Sequence, residues 1–154
     1  MRTLILYATK YGATADIARR IASKIDGASA YDIKQDNIPD ISGFDRILIG
    51  SSVYAGSTRK EAKAYVAQNA AALTKKEFGL FFSGLGADPK TLEKNFPPGF
   101  VKRAKSVAFM GGIFDPDKIN GAERLALRAM YRLKEYTNSI DDEAIDQFVA
   151  AMKE

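Results

Sequence analysis

Neither cysteine nor histidine occurs in this chain of 154 residues. The absence of cysteine excludes disulfides, a thiolate nucleophile and thiolate ligands for an iron–sulfur cluster. The absence of histidine removes the commonest general base, the commonest metal ligand and any Ser-His-Asp triad. Chemistry must therefore come from a bound cofactor or from carboxylates, lysines and tyrosines.

Long apolar runs are also missing, since no segment approaches the roughly 20 residues that a membrane-spanning helix needs. Arg2 precedes an apolar strand rather than a cleavable segment, so we expect no signal peptide and a cytoplasmic protein. The formal net charge is +4, but the basic residues are scattered. Such an excess is typical of a solvated surface, and we expect no nucleic-acid partner.

The apolar residues alternate between strand and helix patterns along the chain. Buried strands are predicted at residues 4–6, 46–50, 78–83 and 106–113, with a weaker edge strand at 28–33. Helices are predicted after Thr14, after a capping box of Thr58 and Glu61, after Asp88, and over 121–136 and 142–152. Apolar strands separated by helices imply a parallel sheet covered on both faces. We therefore predict a single α/β domain over residues 1–154.

The first strand ends in a short loop of small and hydroxyl residues, and residues 4–14 read LILYATKYGAT. A strand–loop–helix of this kind aims free backbone N–H groups and the positive end of the helix at one point. Two threonine hydroxyls add donors, and Gly12 lets the backbone approach an anion closely. The loop predicts a phosphate monoester site, because the dinucleotide and triphosphate patterns GxGxxG and GxxxxGK are both absent. The alternative is that Thr9 and Thr14 only satisfy the turn, with Thr14 as the helix N-cap.

Two further loops, at residues 51–56 and 83–88, follow strand ends and share this composition of Ser, Thr, Gly and Ala. In open parallel sheets, ligands bind beyond the carboxyl ends of the strands. Three such loops at one sheet edge, with Tyr11 and Tyr54 as the aromatics, predict a site for a flat ring that carries a phosphate. Asp88 ends the third loop, where we interpret it as a helix cap rather than a catalytic acid. The predicted cofactor-binding residues are Thr9, Lys10, Tyr11, Gly12, Ala13, Thr14, Ser51, Ser52, Val53, Tyr54, Ala55, Gly56, Ser83, Gly84, Leu85, Gly86 and Asp88.

The ordered set of three loops resembles the flavodoxin family. The segment YATKYGAT is similar to that family's phosphate loop, GSSVYAGS to the loop against one face of the flavin, and SGLGADP to the loop against the other face. The resemblance covers nearly the whole chain. It implies bound FMN, a flavodoxin-like three-layer sandwich with a five-stranded parallel sheet of order 2-1-3-4-5, and one- or two-electron redox chemistry. Tyr54 is the best candidate to stack on the flavin.

Two redox functions remain open at this stage. The favoured one is a flavodoxin that exchanges electrons with protein partners. The alternative is an FMN-dependent oxidase of the protoporphyrinogen type that uses a quinone, because GGIFDPDKINGAERLALRAM resembles a branch containing menaquinone-dependent protoporphyrinogen oxidases. Against it, the segment after Phe114 shows no long insertion of the kind those oxidases carry. A flavin-free binding module that retains only the fold is a third hypothesis.

The predicted helix after Gly121 has two interpretations. Its apolar spacing predicts a core-facing stripe. Beside that stripe, Arg124, Leu127, Arg128 and Tyr131 form either an ordinary packed edge or a contact surface for a quinone, a porphyrin or the inner face of a membrane. The predicted stripe consists of Ala122, Leu125, Ala126, Ala129, Met130 and Leu133.

Overall fold

A computed structural model describes residues 1–84, 89–119, 121–131 and 135–154. It leaves out six side chains of α3 and α5 within those ranges, namely Pro89, Glu123, Ala126, Leu127, Met130 and Tyr131. In chain order the elements are β1 (Thr3–Ala8), α1 (Ala13–Ser23), β2 (Ser29–Asp32), β3 (Arg46–Tyr54), β4 (Ser57–Thr58), α2 (Lys60–Leu73), β5 (Glu77–Ser83), α3 (Pro89–Glu93), α4 (Phe100–Arg103), β6 (Ser106–Phe109), β7 (Ile113–Phe114), α5 (Gly121–Tyr131), β8 (Thr137–Asn138) and α6 (Asp142–Lys153). None of the helices in these ranges is long and apolar enough to cross a membrane.

The main sheet contains five parallel strands in the order β2-β1-β3-β5-β6. Counted along the chain without the short antiparallel β4, this is the predicted order 2-1-3-4-5, which is confirmed. The register places Leu6, Ile49 and Leu80 side by side across the three central strands. These strands are buried on both faces, as expected for a parallel sheet between layers of helices.

Alternate residues of each central strand supply the two halves of the core. On one face, Leu4 and Leu6 of β1 pack in a cluster that includes Val66 of α2 and Phe100 of α4. The other face of the same strand presents Ile5 to a cluster shared by α1 and α6. This period of two explains why a continuous apolar run forms a strand that is buried on both sides.

A glycine in β3 makes room for the largest ring on the second face. A Cβ at Gly50 would lie 2.1 Å from the ring of Phe81, which is fully buried. The Phe81 ring in turn meets Phe148 of α6 edge to face, with 5.9 Å between the ring centroids. Gly50 thus allows the contact between Phe81 and Phe148, which packs α6 against the sheet.

The predicted capping box before α2 is wrong. Thr58 belongs to β4, where it pairs with Val53, and the helix N-cap is Arg59. The backbone N–H of Arg59 donates to the hydroxyl of Ser51 at 2.9 Å. The Thr58 N–H, to which Glu61 would bond in the predicted capping box, donates instead to Asn95 Oδ1 at 3.0 Å.

The predicted last strand, residues 106–113, is too long. β6 ends at Phe109, and Gly111 adopts a φ of 74°, which turns the chain out of the sheet. Residues 113–114 form β7, which pairs antiparallel with β8 in a separate two-stranded sheet. The segment between these two short strands, residues 115–136, contains α5. We call residues 113–138, from β7 to β8, the β7–β8 excursion.

The predicted core stripe of α5 is wrong for the members whose side chains the structure describes. Leu125 is 71% exposed, and Ala122 and Ala129 are exposed as well. Arg124 is half-buried instead, and its Nη2 donates to the Ile119 carbonyl at 3.3 Å. Hydrophobic spacing identified an amphipathic helix but assigned the wrong face, because α5 lies within the β7–β8 excursion rather than between two strands of the sheet. Ala126, Leu127, Met130 and Tyr131, as well as the predicted Leu133, lie outside the described side chains.

Candidate functional site

The carboxyl ends of β1, β3 and β5 meet at a cavity of about 270 Å³. Loops that follow these three strands contribute to its walls, as the sequence predicts, and a further wall comes from the segment around β7. The lining residues are Lys10, Tyr11, Ala13, Ser52, Val53, Tyr54, Ala55, Ser57, Thr58, Arg59, Ser83, Gly84, Gly112, Ile113, Phe114 and Ile119.

The loop between β1 and α1 ends at Gly12, which is the N-cap of α1 with a φ of 101° and no side-chain cap. The first N–H groups of a helix have no intrahelical acceptor. A Cβ at Gly12 would meet no atom within 4 Å, so the space beside this residue is open. The alternative assignment of Thr14 as the N-cap is therefore wrong, and the N-terminus of α1 is available to an anion.

The hydroxyls of Thr9 in this loop and of Thr14 in the first turn of α1 both have protein partners. Thr9 Oγ1 accepts a hydrogen bond from the Gly12 N–H at 2.9 Å, which closes the loop. Thr14 is fully buried, and its Oγ1 lies 2.6 Å from Ser83 Oγ at the end of β5. That pair ties the first loop to the third across the intervening β3. It uses only one of the two hydroxyl protons, so the other hydroxyl retains a donor.

The second predicted loop is largely strand. β3 continues through Tyr54, and residues 55–56 are the turn of a hairpin in which Tyr54 pairs with Ser57. Ala55 has a φ of 49° and Gly56 a φ of 80°, the two positive values that a tight hairpin turn requires. Hydroxyl-rich composition predicted a loop here, but pairing with both β4 and β5 extends the strand.

The hairpin presents Tyr54 at the cavity, where its side chain is 38% exposed. Ser51, at the base of the same segment, is buried and accepts from the Arg59 N–H while it donates to the Ser52 carbonyl. Tyr54 is therefore placed to contact a ligand, whereas Ser51 supports the start of α2.

Only the beginning of the third loop is described, and the predicted residues Leu85, Gly86 and Asp88 lie outside the described residues. Gly84 has a φ of 151°, and its N–H donates to the Gly111 carbonyl at 2.9 Å. A Cβ at Gly112 would lie 2.7 Å from the Gly84 carbonyl oxygen. The start of this loop thus packs directly against the turn that follows β6.

Several predicted residues do not line this cavity. Thr9, Thr14, Ser51 and Gly56 are absent from its walls, and Gly12 instead lines an adjoining polar cavity of about 330 Å³. The second cavity shares Tyr11, Ile113 and Ile119 with the first. Its remaining lining residues are Asp16, Arg19, Asp115, Lys118 and Tyr136.

Sequence reasoning missed an apolar wall and a cation. Ile113, Phe114 and Ile119 line the cavity from the β7 segment, but Ile113 was assigned to the last strand of the sheet, and Phe114 and Ile119 were given no role in the site. Arg59 also lines the cavity, and its position directly after the second loop was a usable signal. Arg59 Nε lies 3.8 Å from Glu61 Oε2, and neither of these buried atoms has a hydrogen-bond partner.

A family profile described as "Flavodoxin domain" matches residues 4–141 of this chain. No curated protein matches the sequence significantly.

Solved structures with the same fold include three informative examples. A flavoprotein in complex with FMN from Lactobacillus acidophilus NCFM shares 24% identity over 71% of this chain and 90% of that chain, with a TM-score of 0.52. A two-electron-reduced flavodoxin from Megasphaera elsdenii shares 16% identity over 99% of both chains, with a TM-score of 0.60. A short-chain flavodoxin associated with a bacterial microcompartment shares 17% identity over 99% of this chain and 97% of that chain, with a TM-score of 0.62. At these identities the likeness shows the fold.

Proposed function

This chain belongs to the flavodoxin-domain family, and from that premise we propose that it is an FMN-binding electron-transfer protein. The observation that carries the proposal is the cavity at which the ends of β1, β3 and β5 converge, between an open helix N-terminus and an exposed tyrosine. A bound FMN supplies one- and two-electron redox chemistry.

The first loop fits the phosphate of FMN. The N-terminus of α1 has no side-chain cap, and the space beside Gly12 is open. Free N–H groups together with the helix dipole favour an anion at this point. Lys10 adds a cation at the cavity wall, where its Nζ lies 5.3 Å from the centroid of the Tyr11 ring.

The cavity fits the ring of FMN. Its volume of about 270 Å³ lies near the lower end of small-molecule pockets, and the adjoining cavity enlarges the available space. Tyr54 and Tyr11 offer aromatic faces, while Ile113 and Phe114 add apolar side chains to the wall. Ser52, which is half-buried at the cavity wall, supplies polar groups for the ring edge.

Comparison of FMN with riboflavin tests the phosphate assignment. Thr9→Ala opens the loop by removing the acceptor of the Gly12 N–H, while Thr74→Ala removes a comparable hydroxyl at the far end of α2. Hydrogen bonds to a charged group contribute about 1.5–3 kcal/mol each. Displacing one N–H donor from the phosphate should therefore reduce the affinity for FMN by roughly 10- to 150-fold. Fluorescence titration should show this loss for FMN, little change for riboflavin, and no change for either ligand in Thr74→Ala. Equal losses for both flavins in Thr9→Ala would contradict the phosphate assignment, and no binding of either flavin by the unaltered protein would refute the function.

For the carrier role we propose an acidic redox protein as the partner. A groove of about 350 Å³ between α3 and α4 is lined by Lys90, Lys94 and Lys102, with Glu93 as the single carboxylate in that lining. The helix α3, which carries Lys90 of this groove, contacts the hairpin of the site, because the Thr91 side chain lies against Gly56 in the turn. Complementary charge accelerates the encounter of redox partners and is screened by salt.

The partner proposal is tested by reversing charge in the groove. Lys94→Glu/Lys102→Glu should slow electron transfer from an acidic iron–sulfur protein by about tenfold or more at low ionic strength, because steering changes association rates by 10- to 1,000-fold. The matched control, Lys75→Glu/Lys153→Glu, makes the same charge change at two exposed lysines outside the groove, one just after α2 and one at the end of α6. The expected difference between the two pairs disappears at high salt. Equal rates for the two pairs at low salt would contradict docking at this groove.

A quinone-linked oxidoreductase of the protoporphyrinogen oxidase type is the second candidate. The favouring observation is the β7–β8 excursion, which contributes an apolar wall to the cavity and carries an exposed helix face. That face is centred on Leu125 and includes Arg128, a combination that suits a lipophilic substrate or the surface of an anionic membrane.

The second candidate predicts turnover with protoporphyrinogen and a menaquinone analogue. Arg128→Glu should raise the apparent KM for the lipophilic acceptor and weaken binding to anionic vesicles, whereas Arg103→Glu on α4 should change neither. FMN affinity should stay the same in both variants. Absence of turnover by the FMN-loaded protein would leave the electron-carrier role as the proposed function.

A further inference from the structure

Asn95 connects the hairpin of the candidate site to the segment after α3. Its Nδ2 donates to the Gly56 carbonyl at 3.0 Å, and its Oδ1 accepts from the Thr58 N–H at 3.0 Å. The same amide group also donates to the carbonyls of Thr91 and Leu92, at 3.1 Å and 3.3 Å. One half-buried side chain therefore holds the second turn residue and the β4 strand that follows it, from a position 37 residues away from Thr58.

The hairpin depends on such an external anchor. β4 contains two residues, and its ladder with β3 consists of the pairs Val53–Thr58 and Tyr54–Ser57. A two-stranded hairpin is marginal on its own, and a non-glycine residue with positive φ adds strain at Ala55. The bonds from Asn95 satisfy the carbonyl of Gly56 in the turn and the N–H of Thr58 in β4, so they fix the returning strand that pairs with Val53 and Tyr54.

We infer that Asn95 is a positioning residue for the flavin, acting through the hairpin that presents Tyr54 to the cavity. The inference rests on the proposed FMN site. Asn95 itself is not among the residues that line the cavity. Removal of the Asn95 side chain should therefore disturb the contact of the protein with the flavin ring rather than with the phosphate. It should reduce the affinities for FMN and for riboflavin by the same factor.

The test uses Asn95→Leu, which preserves approximate side-chain size while removing every one of these hydrogen bonds. Asn69→Leu is the matched control, because the Asn69 amide is half-buried on α2 and donates to the Tyr65 carbonyl at 2.8 Å, away from the hairpin. Asn95→Leu should weaken both flavins roughly three- to tenfold, the range expected for one aromatic ring contact. The visible circular dichroism of bound FMN should change in Asn95→Leu and stay the same in Asn69→Leu.

A rescue experiment separates the hairpin from α3, whose last carbonyls Asn95 also binds. Ala55→Asn creates Asn-Gly, the preferred pair for a turn with two positive φ angles, and acts on the hairpin rather than on α3. Because Ala55 also lines the cavity, the Ala55→Asn variant alone is the reference for flavin affinity. Adding Ala55→Asn to Asn95→Leu should restore both affinities to those of Ala55→Asn. Loss without rescue would show that Asn95 serves α3, and unchanged flavin binding in folded Asn95→Leu would overturn the inference.

Amide hydrogen exchange supplies a readout that does not require flavin. In the apoprotein, Asn95→Leu should accelerate exchange of the Thr58 N–H, whose acceptor is removed, while Asn69→Leu should leave it unchanged. If the unaltered protein binds neither flavin, the proposed function fails. Unchanged exchange at Thr58 would instead refute the anchoring role of Asn95.

Discussion

The buried hydroxyl pair between Thr14 and Ser83 allows a sharp test of how the site is assembled. Its oxygens lie 2.6 Å apart, and both residues are 0% exposed. Thr14→Val and Ser83→Ala each remove one hydroxyl and leave the other buried without this partner. Each single change should therefore cost about 1–3 kcal/mol of unfolding free energy.

The double variant should be much less destabilised than the sum of the two single variants. Replacing both hydroxyls by apolar groups of similar shape is nearly neutral, since no buried donor or acceptor is then stranded. Because the double variant is expected to be nearly neutral, the coupling energy should approach the sum of the two single losses, about 2–6 kcal/mol, well above the roughly 0.3–0.5 kcal/mol within which independent sites add.

Urea unfolding of the apoprotein at 25 °C measures this cycle, provided that the denaturant dependence is the same in all four proteins. Thr74→Val is the control, because that hydroxyl is exposed and donates to a carbonyl of its own helix. It should change stability by no more than about 0.5 kcal/mol. Additive losses in the double variant would refute the idea that the two hydroxyls form a closed pair that joins the first and third loops.

Three further outcomes are expected. Gly50→Ala should cost about 1–3 kcal/mol in urea unfolding, because its Cβ would overlap the Phe81 ring, and an unchanged midpoint would contradict that packing. Arg59→Gln removes a cation from the cavity wall and should lower the midpoint potential of bound FMN by about 30 mV or more, which equals about 1.4 kcal/mol for a two-electron couple. An unchanged midpoint in a potentiometric titration would show that this cation does not reach the ring. The Ser42 backbone N–H donates to Asp40 and holds the pKa of that carboxyl below its usual range, so its contribution to stability is present above the unfolded pKa and is lost as pH falls through the lower folded value. Asp40→Asn should therefore flatten the acid limb of the stability–pH curve, and an identical limb would count against the hydrogen bond.

Local sequence patterns predicted the central strands of the sheet, which are defined by the burial of apolar residues on both faces. The apolar runs at residues 4–6, 46–50 and 78–83 became central strands, because continuous hydrophobicity suits a strand covered on both faces. The same patterns misplaced element ends. Hydroxyl composition suggested a loop after Gly50, yet strand pairing continues to Tyr54. Hydrophobic spacing in α5 suggested that Leu125 is inward, yet it is 71% exposed.

The candidate site shows a similar division. The meeting of residues from the ends of β1, β3 and β5 at one site was predicted, because parallel strands bring their carboxyl ends to one edge. The wall that includes Ile113 was not predicted, since no local pattern shows that β7 leaves the sheet and pairs with β8. Arg59 was overlooked because its place in the cavity depends on the hairpin that precedes it.

By itself, the sequence determined the alternation of strands and helices, the sheet order expected from family resemblance, and a phosphate-type loop before α1. The tertiary structure determined which hydrogen bonds join these loops to each other and to the segments that support them. Thr14 forms a hydrogen bond with Ser83, 69 residues away in the sequence, and Asn95 forms one with Thr58, 37 residues away. Periodicity and capping patterns report only the surroundings of neighbouring residues, whereas a hydrogen bond between distant residues exists only once the strands are in register and the helices are packed.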